Sequence, residues 1–319
     1  MDQVPRLSWS PARELRLSAD YEAAFFQTIL DAPDDDTPRL IFADWLEERG
    51  ESERAQLIRV QCELARLPAD NPRHPQYAEW KACEQALLRT HEREWAAPLA
   101  RLVNGWEFRR GFIDAVTMTV AAFLDHGEQL FKLTPVTHVR FLDSRYLLPV
   151  LADCPALSRL RRVQFFSHYL DDAALPALAA SPHLRQLVWL HLGKNNLTNR
   201  GVGILANSPN LAALQYLNLS ANFISRAGAR ILAAGGTLPA LTAVDLSNNL
   251  IDLEGVAALR QRFGDNLVCF GQGSLSQLGR LVEFLERQGV PQGTEGYPEL
   301  PLERLEHWLS QLPSAAGRD

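Results

Sequence analysis

The sequence predicts an α/β fold, a stack of short strand–helix repeats between two helical segments. Three observations predict it. The segments LVWLHLGKNNL from Leu187, LQYLNLSANFI from Leu214 and LTAVDLSNNLI from Leu241 carry one apolar pattern, L-x-x-L-x-L-x-x-N-x-L with Val and Ile allowed, at an interval of 27 residues. An asparagine recurs in the same phase at Asn195, Asn222 and Asn249. A helix-capping residue type recurs at Asp171, Thr198, Ser225 and Asp252, again 27 apart. One leucine-rich unit is a common accident; three in phase across strand, asparagine and cap columns are not.

In chain order, residues 1–17 are expected to be extended or disordered and 18–100 to form a helical domain. Ser18 is placed to cap a helix bearing Tyr21, Phe25, Phe26, Ile29 and Leu30. Thr37 followed by Pro38 suits a helix start, and Asp34 to Asp36 suit its positive end. That helix should stop at Gly50, and Ser52 should cap the next, which carries Leu57, Ile58, Cys62 and Ala65 on one side. Pro68, Pro72 and Pro75 break it, and a fourth helix holds Tyr77, Trp80, Leu87 and Leu88, extending toward His91 and Trp95.

Residues 101–267 are read as four or five repeats. Stepping back 27 from Leu187 finds Leu160, Val163 and Phe165, with His168 in the asparagine column. A weaker unit lies 24 earlier at Val136, Val139 and Phe141, with Ser144 in that column, and Phe112 to Val120 offers an atypical strand before it. Behind the caps, Gly201, Gly228 and Gly255 share a column with Ala174, where a small residue lets the helix pack close to the strand layer. Ile204/Leu205, Ile231/Leu232 and Ala258/Leu259 follow at helical spacing, facing inward. After Phe263 the repeat fails. Residues 268–312 are expected to form a C-terminal helical cap, needed because a repeat stack ends on an exposed apolar cross-section, and 313–319 a disordered tail.

The repeat resembles the ribonuclease-inhibitor-like subclass of leucine-rich repeats, which also includes eukaryotic Ran GTPase-activating proteins, over about residues 133–267. The resemblance implies a solenoid segment shaped as a right-handed horseshoe, with parallel strands concave and helices convex, and a structural ladder of Asn195, Asn222 and Asn249 side chains that His168 and Ser144 interrupt. The stretch DDDTPRLIFADWLEERGESERAQLIRVQCELARL, residues 34–67, resembles the repeat-companion domain of bacterial multi-gene families, found N-terminal to such repeats. Trp106–Val120 is similar to the segment that joins the two. That family carries no defined activity to transfer to a residue.

Composition excludes little but directs the search. Net charge is −6, with 46% apolar and 22% charged residues, an ordinary globular balance without the basic stripe of a nucleic-acid binder. No apolar run reaches membrane-spanning length, and the N-terminus lacks a signal-peptide pattern. Cys62, Cys83, Cys154 and Cys269 are scattered and read as free thiols of a reducing, cytoplasmic compartment. HEREW from His91 lacks the second histidine of a zinc helix, GQGS from Gly271 lacks a third glycine, and Asp34 to Asp36 lack the spacing of a calcium loop. No catalytic residue, metal site or cofactor is expected, and the chain is read as a non-enzyme.

Alternate strand residues should project from the sheet in rows across its concave side. One row is His138, Arg162, Trp189, Tyr216 and Ala243; the next is Arg140, Gln164, His191, Asn218 and Asp245; a third is Leu142, Phe166, Gly193, Ser220 and Ser247. Nothing in the repeat requires Trp189, Tyr216 or Phe166 to be large. Aromatic and arginine side chains are the usual anchors of protein interfaces. The expected partner-binding residues are Arg140, Arg162, Gln164, Phe166, Trp189, His191, Tyr216, Asn218 and Asp245, and the expected partner an unidentified protein, neither nucleic acid nor membrane. Coverage of these rows by the chain's own N-terminal helices or Pro-rich C-terminal segment stays open. So do regulation of an enzyme, as nuclease inhibitor or GTPase activator, and a self-associating scaffold.

Overall fold

The computed structural model describes residues 11–67, 74–144, 146–236 and 238–273. The expected C-terminal helical cap and tail, from residue 274 on, lie outside the described residues, as do residues 1–10 of the N-terminal segment. The described chain forms two compact units. One runs to Val116 and takes in Glu128–Val136; the other holds Thr117–Gly127 and the chain from Thr137 on.

The first unit opens with helix α1 (Pro11–Asp31), so residues 11–17 are helical rather than extended and Ser18 lies within the helix instead of capping it. The reason is legible afterwards. Pro11 is preorganised for a first helical turn, and Ala12, Arg13, Glu14 and Leu15 are strong helix formers. α2 (Thr37–Glu48) starts at the Thr-Pro pair. It ends where Gly50 takes a left-handed conformation, φ 84°, while the amides of Gly50 and Glu51 bond back to the Glu47 and Leu46 carbonyls. α3 (Ser52–Arg66) and α4 (Tyr77–Trp95) follow.

Strands β1 (Gly105–Arg109) and β2 (Phe112–Thr119) are hydrogen-bonded neighbours, joined by the two-residue turn Arg110–Gly111, both at positive φ. Residues up to Val116 belong to the first unit. Phe112 packs in one core with Ile29, Phe42, Ala43, Leu46, Ala55, Ile58 and Cys62. Gly111 cannot be replaced freely: a Cβ there would lie 2.8 Å from the Ile58 Cα. Its amide donates to Gln61 Oε1 at 2.8 Å.

α5 (Val120–Leu133) leads into the repeats. They comprise β3 (His138–Leu142), α6 (Leu148–Ala152), β4 (Arg162–Gln164), α7 (Leu175–Ala180), β5 (Trp189–His191), α8 (Asn199–Ala206), β6 (Tyr216–Asn218), α9 (Arg226–Ala233), β7 (Ala243–Asp245), α10 (Leu253–Phe263) and β8 (Leu267–Val268). β3 to β8 lie side by side in sequence order, all parallel. The register repeats the sequence interval: Arg162 pairs with Trp189, Trp189 with Tyr216 and Tyr216 with Ala243. The framework residues Leu187, Leu190, Leu192, Leu214, Leu217, Leu219, Val244 and Leu246 are all fully buried. Each such side chain contributes on the order of 1.5–3 kcal/mol by leaving water. In the first units phenylalanine fills the larger space, with Phe141 stacked on Phe165 at 5.3 Å and Phe123 edge-on to Phe141.

Side-chain ladders tie one repeat to the next. Asn222 Nδ2 donates to the carbonyls of Leu192, Leu219 and Ser220 while its Oδ1 accepts the Leu197 amide. Asn195 and Asn249 repeat the pattern one unit either side. His168 serves as a rung as well: its Nδ1 accepts the Ser144 amide at 3.3 Å, and it bonds the Phe141 carbonyl, the counterpart of Phe165 in Asn195's set. At the other end Gln272 accepts the Ile251 amide and donates to the Leu246 carbonyl, both within 3.0 Å. The repeat therefore continues past Phe263, through β8, to a rung in the Gly-Gln-Gly segment that reads as plain loop in the sequence.

The caps also couple across units. Asp171, Thr198 and Asp252 accept amides of their own helices. Ser225 does not; the Gly228 amide of its helix is instead taken by Asn199 Oδ1 from the preceding repeat, at 2.9 Å. Asp172 accepts from Thr198, and Arg226 pairs with Asp252 in the same manner. Gly201 and Gly228 sit against these linking side chains: a Cβ would lie 2.4 Å from Asp172 Oδ1 or 2.7 Å from Asn199 Oδ1. The glycine column thus makes room for the neighbouring repeat, beyond the strand layer alone.

Candidate functional site

The parallel strands bury one residue in two, and the alternate residues stand on the opposite face of the sheet. The pairing puts His138, Arg162, Trp189, Tyr216 and Ala243 in one row and Arg140, Gln164, His191, Asn218 and Asp245 in the next. Trp189 and Tyr216 stack nearly parallel, ring centres 5.6 Å apart at 9°. His138 meets Trp189 edge-on at 5.3 Å, and His191 lies 5.5 Å from the same ring. Phe166 stands at right angles to His191 at 5.4 Å, with Lys194 Nζ 5.8 Å above the Phe166 ring. Phe166 keeps 43% of its surface exposed, while Trp189 and Tyr216 are half-buried by their neighbours. The result is a contiguous aromatic strip across β4, β5 and β6, flanked by the half-buried Arg140, Arg162 and Gln164.

The second row has another task. His191 Nδ1 accepts the Gly193 amide, Asn218 Oδ1 the Ser220 amide and Asp245 Oδ1 the Ser247 amide, each within 3.0 Å and two residues on. These side chains hold the backbone as it leaves the strand. Asn218 is 7% exposed, and its Nδ2 donates to Asp245 Oδ2 at 2.9 Å. Asn218 is therefore spent inside the protein and offers a partner little. His191 is held neutral: burial lowers its pKa from the ordinary value, against the pull of Asp245. With Nδ1 accepting, its proton sits on Nε2. Burial likewise raises the Tyr216 hydroxyl, which stays protonated and able to donate.

Other exposed groups beside the sheet escape a sequence reading. Tyr146 (85% exposed) and Tyr169 (55% exposed) sit in the segments leaving β3 and β4. Tyr169 takes a left-handed backbone, φ 54°, and points outward where the corresponding Phe223 and Leu250 are buried. Asp143, Ser167, Lys194, Ala221 and Asn248 share a left-handed column at each strand exit, and Lys194 reaches Phe166 from it. A conformational column of varied residue types leaves no mark in the sequence. Beyond β8, Phe270 is 64% exposed.

No cluster of three or more potential metal-binding side chains occurs among the described residues. The four cysteines are unpaired by disulfides, and burial pushes the Cys62 thiol up to about 12, far from a nucleophile's range. No described helix is long and apolar enough to cross a membrane.

No protein-family model matches the sequence, and no curated protein matches it. Among solved structures, the chain is similar to an internalin from Listeria monocytogenes, at 18% identity with a TM-score of 0.28. The match covers 48% of this chain and 46% of the internalin, less than half of that protein's length.

Proposed function

We propose that this chain is a non-catalytic interaction protein, a leucine-rich-repeat module of the ribonuclease-inhibitor-like kind that takes a protein partner on the open face of its parallel sheet. The observation that carries the reading is the strip Phe166–His191–Trp189–Tyr216. The repeat needs the framework leucines and the asparagine ladder; it has no use for three large rings on the other face, where Ala243 serves as well in the same row. Phe166, Trp189 and Tyr216 are the anchors, and Arg140, Arg162, Gln164 and Lys194 form a polar surround of the kind that excludes water from interface centres. Asn218, His191 and Asp245 shape the surface from beneath. A stable complex needs roughly 800 Å² from each partner, which the strip and the adjoining strand-exit segments with Tyr146 and Tyr169 can supply.

The test is paired affinity capture from the native lysate, with the natural chain beside Trp189→Glu, Tyr216→Glu, after circular dichroism shows both folded. A protein retained by the first and lost by the second supports the reading. Retention of the same proteins by both baits moves the interface away from this face.

A further inference from the structure

The first unit contains a cavity of about 250 Å3, lined among others by Phe26, Phe42, Trp95, Phe108 and Phe112, with Arg54 in its wall. The guanidinium carbon of Arg54 lies 4.8 Å from the Trp95 ring centre, 5.4 Å from Phe108 and 5.3 Å from Phe112. Its Nη1 is shut off from solvent, and no described residue accepts a hydrogen bond from it. The two other arginines of α3 behave differently. Arg59 reaches Asp44 and Glu47, and Arg66 reaches Asp36 and Glu63, all within 3.2 Å. Even the deeply buried Arg39 donates to the Pro33 and Arg110 carbonyls.

Arg54 as a whole is half-buried, but its shielded Nη1 lacks an acceptor among the described residues, and a charged group taken out of water is costly unless a partner offsets it. Aromatic faces repay part of it. Burial pushes the Arg54 pKa down to about 10, with Glu51 as the opposing influence, so the group stays charged at neutral pH. Glu22 and Glu51 line the cavity but are exposed, where water screens them.

We propose that this cavity binds a small monocarboxylate with a flat apolar body, its carboxylate held by Arg54 and its body enclosed by the rings of Phe26, Trp95, Phe108 and Phe112. The volume lies just under the ~300–1,000 Å3 usual for ligand pockets, room for one ring and a head group. The acid is either free or the last residue of a polypeptide chain.

Calorimetric titration of the full-length chain with sodium benzoate, benzamide and benzylamine tests this. Benzoate is expected to bind at least about tenfold more tightly than benzamide, the margin of a charge-assisted hydrogen bond, and benzylamine not at all. Arg54→Met should erase that margin, and Arg54→Lys should keep part of it. Photolabelling of the unaltered chain with 4-azidobenzoate, followed by peptide mapping, should mark the stretches holding Phe26, Trp95 or Phe108, and this arm needs no variant to fold. N-acetylphenylalanine binding above benzoate would assign the ligand to a chain terminus, and below it to a free acid; both outcomes uphold the site. Equal binding of benzoate and benzamide, no binding of either, or labelling outside the first unit would overturn it.

Discussion

Asn222 shows how much one residue of the repeat carries. It is fully buried and bonds the carbonyls of Leu192, Leu219 and Ser220, just past two strands, and the amide of Leu197. Asn222→Ala would strand those groups without water, at about 1 kcal/mol or more for each not rescued. Urea unfolding should show a loss of about 3 kcal/mol, and a loss under about 1 kcal/mol would mean that the ladder is ornamental. His168 adds a pH dependence. Burial lowers its pKa from 6.5, and the same holds for His191. The unfolded chain therefore takes up these protons before the folded one does. The stability they contribute is present above pH 6.5 and is lost as pH falls through the lower folded-state values. Melting temperature should be flat above about pH 7.5 and fall toward pH 5, and His168→Asn should make the fall shallower. An unchanged slope would remove His168 as a buried rung. The asparagine column is plain in the sequence because one residue type does one job. His168 and Gln272 are not, because His168 keeps the 27-residue step but puts a ring nitrogen in place of an amide, and Gln272 is a longer amide at a 23-residue step. Tyr169 is hidden for a related reason, since nothing in a tyrosine announces a left-handed backbone.

At the scale of the element, helix glycines separate two effects that usually travel together. Gly203 of α8 has nothing closer than Ile231 Cδ1 at 3.9 Å. Gly203→Ala should stabilise by about 0.5–1 kcal/mol through helix propensity and reduced unfolded-state entropy. Gly228 of α9 would bring its new methyl within 2.6 Å of Ile224 Cγ2 and displace Asn199 from the helix end. Gly228→Ala should destabilise despite the same propensity gain, by roughly 1–3 kcal/mol. Thermal melts of the two variants should move in opposite directions; movement together would show that neighbouring repeats do not crowd this column. Strand positions and helix caps are legible from their 27-residue columns. The links between repeats are not, because Asp172, Asn199 and Arg226 do a common job with an acid, an amide and a cation. β8 is missed because the step shortens to 23, from Val244 to Leu267. β1 is missed because the turn at Arg110–Gly111 is what makes Trp106–Val120 a pair of strands rather than one.

At the scale of the molecule, the two units divide the work. The first holds an aromatic core and, by our inference, a ligand cavity; the second presents a sheet face on which Phe166, Trp189 and Tyr216 are independent of what the repeat needs to stand, while His191, Asn218 and Asp245 brace the strand exits. That independence explains why the fold is readable from the sequence while the surface is only partly so. The framework columns are constrained by burial, and the aromatic members of the outward rows are not. The rows fall where the alternation places them, but which members project and which brace the strand exits emerges only from hydrogen bonds such as that between Asn218 and Asp245. Hydroxyl-radical footprinting of the complete chain, free in solution, tests the central claim most directly. Side-chain oxidation at Phe166, Trp189 and Tyr216 well above that of buried Phe165 and Phe223 is the predicted result, with loss of that labelling once the captured partner is added. Protection of all three in the free chain would contradict the account, because another part of the same protein would already occupy the face.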